Sequence, residues 1–232
     1  MVNGRLETVR SWLWPGHCLL CRARVGAGTG LCNGCHAQLP WLNGACAHCA
    51  MPLPVESASV ACGSCQKKAP VFDRACAALR YAEPVDRLIV NLKYHRRLDL
   101  ARTLGHLLVE RLHALTERPD VIVPVPLHTS RLRERGYNQS LELARVLGRR
   151  LVLPVEPRLV KRVRATPTQT SLPLERRARN VRNAFTAEAN VAGLHIAIVD
   201  DVMTSGYTVS ALTKSLRRAG AKEISVWVVA RA

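Results

Sequence analysis

From residue 75 onward, apolar positions alternate between short unbroken runs and stripes at helical spacing. ACAALRY at 75–81 reads as a short strand. Across 86–115, Leu88, Ile89, Leu92, Leu100, Leu104, Leu107, Leu108 and Leu112 recur mostly at helical intervals, which predicts two helices broken near 95–98. DVIVP at 120–124 is short, β-branched and stopped by proline, the pattern of a buried strand. A helix is predicted over 138–151 and a strand within 155–164. Residues 165–183 are polar and basic, contain Pro167 and Pro173, and predict a long loop of the kind that is usually functional or disordered. LHIAIV at 194–199 is the strongest strand signal, 208–219 a helix ended by Gly220, and 223–229 a closing strand. Strands alternating with helices imply an α/β domain built on a mostly parallel sheet.

The first 76 residues follow another logic. All nine cysteines lie there, and the segment has little periodicity. The expected division is therefore a cysteine-rich module at 1–76 and an α/β domain at 77–232. Four CxxC pairs occur: Cys18 with Cys21, Cys32 with Cys35, Cys46 with Cys49, and Cys62 with Cys65. Each CxxC turn aims two thiolates at one point, and two such turns complete a tetrahedral four-sulfur site suited to zinc. Two structural zinc sites follow. Redox pairs or an iron–sulfur cluster are the competing readings, though four pairs in a row without a thioredoxin-like βαβ context speak against the first. Pairing in sequence order gives two ribbons side by side; spacing leaves an interleaved arrangement open. Cys76 is expected to be a buried thiol, and His17, His36 and His48 bystanders.

Composition narrows the partners. The chain of 232 residues is 48% hydrophobic, enough to bury a core, and carries 34 Lys+Arg against 17 Asp+Glu, a formal charge of +17. Two four-thiolate zinc sites would lower this to about +13. Such a balance favours polyanions, although an arginine-rich proteome would also contribute to it. Residues 128–182 hold fourteen Lys+Arg and four Asp+Glu. Aromatics are only 4%, so base-stacking platforms are sparse. No apolar stretch approaches the ~20 residues of a membrane span and no signal peptide is legible, so a cytoplasmic protein without membrane insertion is expected.

The most informative stretch is IAIVDDVMTSGYT at 196–208. A buried strand runs into Asp200 and Asp201, and a loop with Thr204, Ser205, Gly206, Tyr207 and Thr208 leads into a helix. Loop N–H groups and a helix N-terminus make a phosphate cradle, and adjacent acids suit vicinal ribose hydroxyls or magnesium. The stretch lacks both a Walker GK[ST] and a dinucleotide fingerprint. It resembles the PRPP-binding motif of type I phosphoribosyltransferases. That resemblance implies Asp200 and Asp201 on the ribose 2′- and 3′-hydroxyls, residues 204–208 around the 5′-phosphate, and magnesium carried mostly by the PRPP.

Three further stretches resemble the ComF (ComFC/GntX-like) competence proteins: Leu92-Lys93-Tyr94, VPVPLHTSRLRERGYNQS at 123–140, and 161–185 with Thr166, Pro167, Thr168, Gln169, Leu172, Arg177, Asn180 and Phe185. With the paired cysteines, the resemblance spans nearly the whole chain. It implies a type I phosphoribosyltransferase-like sheet flanked by helices and preceded by a double zinc ribbon. Lys93, Arg131, Arg133 and Arg135 would face a pyrophosphate group, Asn138 and Gln139 would orient it, and Arg164, Gln169, Arg177 and Arg179 would lie on a closing loop. Two functions remain open: phosphoribosyl transfer from Mg-PRPP to an unidentified acceptor, or non-catalytic binding of single-stranded DNA during uptake, beside a helicase-like competence partner. A PRPP-sensing regulator is a weaker third reading.

Overall fold

The computed structural model describes residues 16–26, 30–54, 61–113, 115, 118–165 and 183–232. Its centre is a four-stranded, wholly parallel sheet in the order β3-β8-β7-β4, formed by β3 (Arg74–Arg80), β8 (Glu223–Arg231), β7 (His195–Met203) and β4 (Val121–Pro124). Both faces are covered, which is why these strands read as continuous apolar runs rather than alternations. One face packs on α3 (Val85–Tyr94), α4 (Asp99–Leu112) and α6 (Gln139–Leu151), burying Leu92, Leu104, Leu108, Leu143 and Leu147 against Ala197, Val199 and Val229. The other face receives α7 (Tyr207–Arg218) and an antiparallel pair of strands, β5 (Val160–Arg162) and β6 (Phe185–Ala187), with Val209, Leu212 and Phe185 against Ile196, Ile198 and Val226. A break between α3 and α4 falls where the apolar stripe stops, with Arg96 at φ +53°.

Two predicted boundaries shift, and one helix was not predicted. The 155–164 strand is only Val160–Arg162; Pro157 has no N–H to give a ladder, and Val155 instead makes a single parallel bridge to Ile122. Strand β7 continues through both acids to Met203, because β8 itself runs to Arg231 and pairs with it throughout. The stretch after β4, for which no element was predicted, contains a short helix, α5 (Thr129–Arg135), entered through His128, whose ring accepts from the Ser130 N–H, and ended by Gly136 at φ +83°. Gly220 stands at φ +95° just past α7, as predicted for its terminator.

The cysteine module sits across the free edge of β3. Its N-terminal part contains β1 (Gly16–His17), β2 (Arg24–Val25) and α1 (Asn33–Ala37); its second part contains α2 (Gly63–Lys67). Between them, the Leu42 N–H donates to the Ala78 carbonyl and the Arg80 N–H to the Pro40 carbonyl, so segment 40–42 satisfies an edge that would otherwise invite another chain. Cys18, Leu31 and Leu39 join the core on one side of the sheet, and Leu42 and Ala50 the core on the other. His36 reaches Glu110 on α4 at 3.0 Å and packs against Trp41. Among the described residues no helix is long and apolar enough to cross a membrane.

Helices α4 and α6 approach closely at Gly105, where an added Cβ would lie 2.8 Å from both Cβ and Cγ1 of Val146. Val146 cannot swing its branched Cβ aside. Overpacking costs about 1–3 kcal/mol, while alanine returns at most about 1 kcal/mol of helix propensity. Gly105→Ala is expected to lower the melting temperature, and Val146→Ala in the same chain to restore it. A Gly105→Ala protein as stable as the parent would contradict this packing.

Candidate functional site

Strand β7 delivers Asp200 and Asp201 to the carboxyl edge of the sheet, where open α/β sheets bind ligands. The two carboxylates are secured differently. Asp201 is 4% exposed and pairs with Lys93 Nζ at 2.8 Å, Lys93 projecting from the last turn of α3. Asp200 accepts a hydrogen bond from Ser140 Oγ at 2.8 Å and from the Asp201 N–H at 2.9 Å. Burial, and then the neighbouring Asp201 charge, push Asp200 up to about 7, against the opposing pull of Lys93 and Ser140. Burial disfavours the Lys93 ammonium, but Asp201 and then Asp200 outweigh it and hold Lys93 above the usual lysine range.

The loop beyond β7 turns at Gly206, whose φ of +72° is one that L side chains resist, and α7 starts at Tyr207 with no acidic residue in its first turn. The positive end of that helix thus carries no carboxylate within its own first turn. Ser205 Oγ is buried and has no hydrogen-bond partner among the described residues. Buried hydroxyls rarely stay so. An anion's oxygen arriving at this loop would fit it, and the donor set suits phosphate.

One cavity of about 200 Å³ gathers eight of the sequence-predicted residues: Lys93, Arg131, Arg135, Gln139, Asp200, Asp201, Thr204 and Thr208 all line it, while Ser205, Gly206 and Tyr207 do not. Arg131 and Arg135 stand one turn apart on α5, which is why they share a face and Arg133 is not among the lining residues. Arg135 donates to Gln139 Oε1 and lies over the Tyr94 ring at 5.2 Å. Asn138 is spent elsewhere. Its Nδ2 donates to the Val125 carbonyl and its Oδ1 accepts from the Ser140 N–H, so it caps α6 and ties down the loop after β4. Gln169 and Arg177, with Arg179, lie outside the described residues.

Sequence reasoning missed Ser140, Tyr94 and Arg162. Ser140 is fully buried and meets Asp200 across 60 residues of chain, a contact with no local signature. Tyr94, 60% exposed, lies inside a quoted motif but was given no role. Arg162 lines the cavity from β5 and stacks on Phe185 at 5.4 Å; burial and then Arg131 hold it below the usual arginine value, with Asp200 opposing.

The eight paired cysteines form two clusters in sequence order, Cys18, Cys21, Cys32, Cys35 and Cys46, Cys49, Cys62, Cys65, with the sulfurs of each within 4.8 Å of one another. Cys21 to Cys32 and Cys49 to Cys62 are both 3.6 Å. A disulfide would be about 2 Å, whereas a zinc tetrahedron with Zn–S near 2.3 Å has sulfur–sulfur edges of about 3.8 Å. The clusters fit two zinc ribbon sites. The thiols of each cluster are split: burial raises Cys18 and Cys46, but surrounding N–H groups outweigh it and bring each to about 6, while hydrogen bonds with Cys21 and Cys32 push Cys35 up and burial pushes Cys65 up. Cys76 is not a ligand; it is partly buried on β3, and burial pushes its thiol up.

The sequence matches the double zinc ribbon domain family over residues 9–66 and the phosphoribosyl transferase domain family over residues 93–232. The DNA utilization protein YhgH of Escherichia coli K12 is 40% identical over 223 residues, covering 94% of this chain and 97% of that one. Competence protein F of Haemophilus influenzae is 37% identical over 228 residues, covering 93% and 96%. Among solved structures, the glutamine PRPP amidotransferase from B. subtilis superposes with a TM-score of 0.41 at 22% identity, over 60% of this chain and 30% of that one.

Two outcomes are expected. Purified protein should carry two zinc ions per chain, and Cys46→Ser one; full zinc retention in that variant would contradict the cluster assignment. Asp200 has a higher pKa folded than its ordinary 3.8, so the folded chain binds the extra proton and the cost of an ionised Asp200 grows from about pH 4 to about 7. Asp200→Asn, which can still accept from Ser140, should therefore raise the melting temperature more at pH 8 than at pH 5. An equal gain at both would contradict the burial of charge here.

Proposed function

The chain, a double zinc ribbon followed by a phosphoribosyltransferase domain, belongs to the family of the DNA utilization protein YhgH and competence protein F, and on that premise we propose that it binds PRPP with magnesium and acts in the uptake and use of DNA. The observation that carries the PRPP reading is the meeting in one cavity of a carboxylate pair, a hydroxyl loop at a helix N-terminus, and the cations Lys93, Arg131 and Arg135. PRPP has the complementary parts in that order: vicinal hydroxyls, a 5′-phosphate and a pyrophosphate.

Asp200 and Asp201 accept from the ribose hydroxyls. Loop 204–208 takes the 5′-phosphate, with Ser205 Oγ supplying a donor that has no partner among the described residues. As the bond from C1 to pyrophosphate lengthens, positive charge grows on the ribose above the carboxylates and negative charge on the leaving group beside Lys93, Arg131 and Arg135. Both are stabilised by groups already in position. Magnesium, carried mostly by the PRPP, supplies further charge neutralisation on the pyrophosphate. The acceptor nucleophile then takes the phosphoribosyl group.

The DNA half of the proposal rests on the relatives' roles and on the charge of +17. One further observation favours it: Tyr94 is exposed at the cavity mouth beneath Arg135, a ring and a cation on which a base could stack.

Calorimetric titration of the zinc-loaded protein with Mg-PRPP tests the site. Asp200→Asn with Asp201→Asn should weaken PRPP binding by about a hundredfold or more, since two charge-assisted contacts are lost. Single-stranded DNA binding should survive that change and fall steeply with salt. PRPP affinity unchanged in the double variant would overturn the assignment.

A further inference from the structure

Arg231, near the end of β8, lies far along the chain from both cysteine clusters and from loop 204–208, yet it joins the second of the one to the other. It is 5% exposed. Its Nε donates to the Cys49 carbonyl at 3.0 Å. Its Nη1 donates to the Met203 carbonyl at 2.9 Å and to the carbonyls of Thr204 and Ala232. Cys49 is a member of the second zinc cluster, and Met203 and Thr204 open the phosphate loop.

The consequence follows from peptide geometry. In a trans peptide the C=O and the next N–H point in opposite directions. Holding the Met203 and Thr204 carbonyls on Arg231 therefore turns the Thr204 and Ser205 N–H groups to the far side of the loop. Guanidinium suits this task because its donors form a rigid planar fork and its charge is permanent. The other end of the fork is fixed by the knuckle itself: the Cys46 N–H donates to the Met51 carbonyl, the Ala50 N–H to the Cys46 carbonyl, and Ala50 takes φ +53°. Metal at the second cluster would lock that turn and with it the Cys49 carbonyl.

We propose that Arg231 is a positioning residue that couples the second zinc ribbon to the phosphate loop, so that an intact ribbon holds the loop N–H groups ready for the anion. This rests on the PRPP reading of the loop. By linkage the coupling is reciprocal: ligand on the loop must stabilise zinc in the second cluster and leave the first indifferent.

The test has two arms. In the first, which contains no PRPP, hydrogen exchange is followed in the zinc-loaded parent, in Arg231→Gln and in Arg231→Lys. Faster exchange is expected at 203–208 and 46–51 in Arg231→Gln, with the loop partly restored by Arg231→Lys, whose ammonium keeps the charge and a donor. Removing the first cluster by Cys21→Ser should leave 203–208 unchanged. In the second arm, zinc release to a colorimetric chelator is followed with and without saturating Mg-PRPP. One of the two zinc equivalents should leave about tenfold more slowly with PRPP, and that protection should vanish in Arg231→Gln. Loop exchange unaffected by Arg231→Gln overturns the coupling whatever PRPP does. PRPP binding without any protection of zinc also overturns it and leaves the PRPP site standing, while absence of PRPP binding to the parent overturns the PRPP reading and, with it, the reciprocal half of the inference.

Discussion

Two adjacent carboxylates at the end of a buried strand repel each other, and the surroundings of β7 are built to hold them. Lys93 from α3 neutralises Asp201 and Ser140 from α6 grips Asp200, yet burial, with the Asp201 charge added to it, still leaves Asp200 pushed up to about 7. Neither partner contributes much to a core. Each is set by the packing of its helix on the same sheet face, so the apolar stripes of α3 and α6 are what aim the polar groups. A cost of this kind, kept at one sheet edge beside a buried hydroxyl that has no partner among the described residues, is expected where binding rather than stability is served.

The ribbons solve a different problem. Residues 16–54 have too few apolar side chains for a core of their own, so metal supplies the local order and the sheet supplies the packing. Straddling β3 lets the two ribbons feed opposite faces of the sheet, while segment 40–42 satisfies its open edge. The module is thus integral to the domain behind it. Arg231 extends that union to the loop that follows β7.

Much of this was legible in the sequence wherever periodicity or spacing carries the signal. Helices α3 and α4 and the break between them follow from the leucine spacing, β7 and β8 from unbroken apolar runs, and the metal clusters from CxxC turns, whose sequential pairing spacing alone left open. Helix α5 was missed because two prolines and a cluster of arginines look like loop, yet i,i+4 spacing of Arg131 and Arg135 is what brings them to the cavity together. Asn138 was expected at the ligand, but a helix N-terminus claims Asn side chains locally, and this one is consumed as a cap. Ser140, Arg162 and Arg231 act through partners 23 to 182 residues away or through a shared cavity, and no local pattern announces such contacts.

In the proposed function, the acid pair and the following loop form a PRPP site. A crystal structure of the zinc-loaded protein with magnesium and PRPP addresses it most directly. The expected density has the ribose hydroxyls on Asp200 and Asp201, the 5′-phosphate on the N–H groups and hydroxyls of 204–208, and the pyrophosphate toward Lys93, Arg131 and Arg135. PRPP bound elsewhere, with Asp200 and Asp201 still engaged only by Ser140 and Lys93, would contradict it.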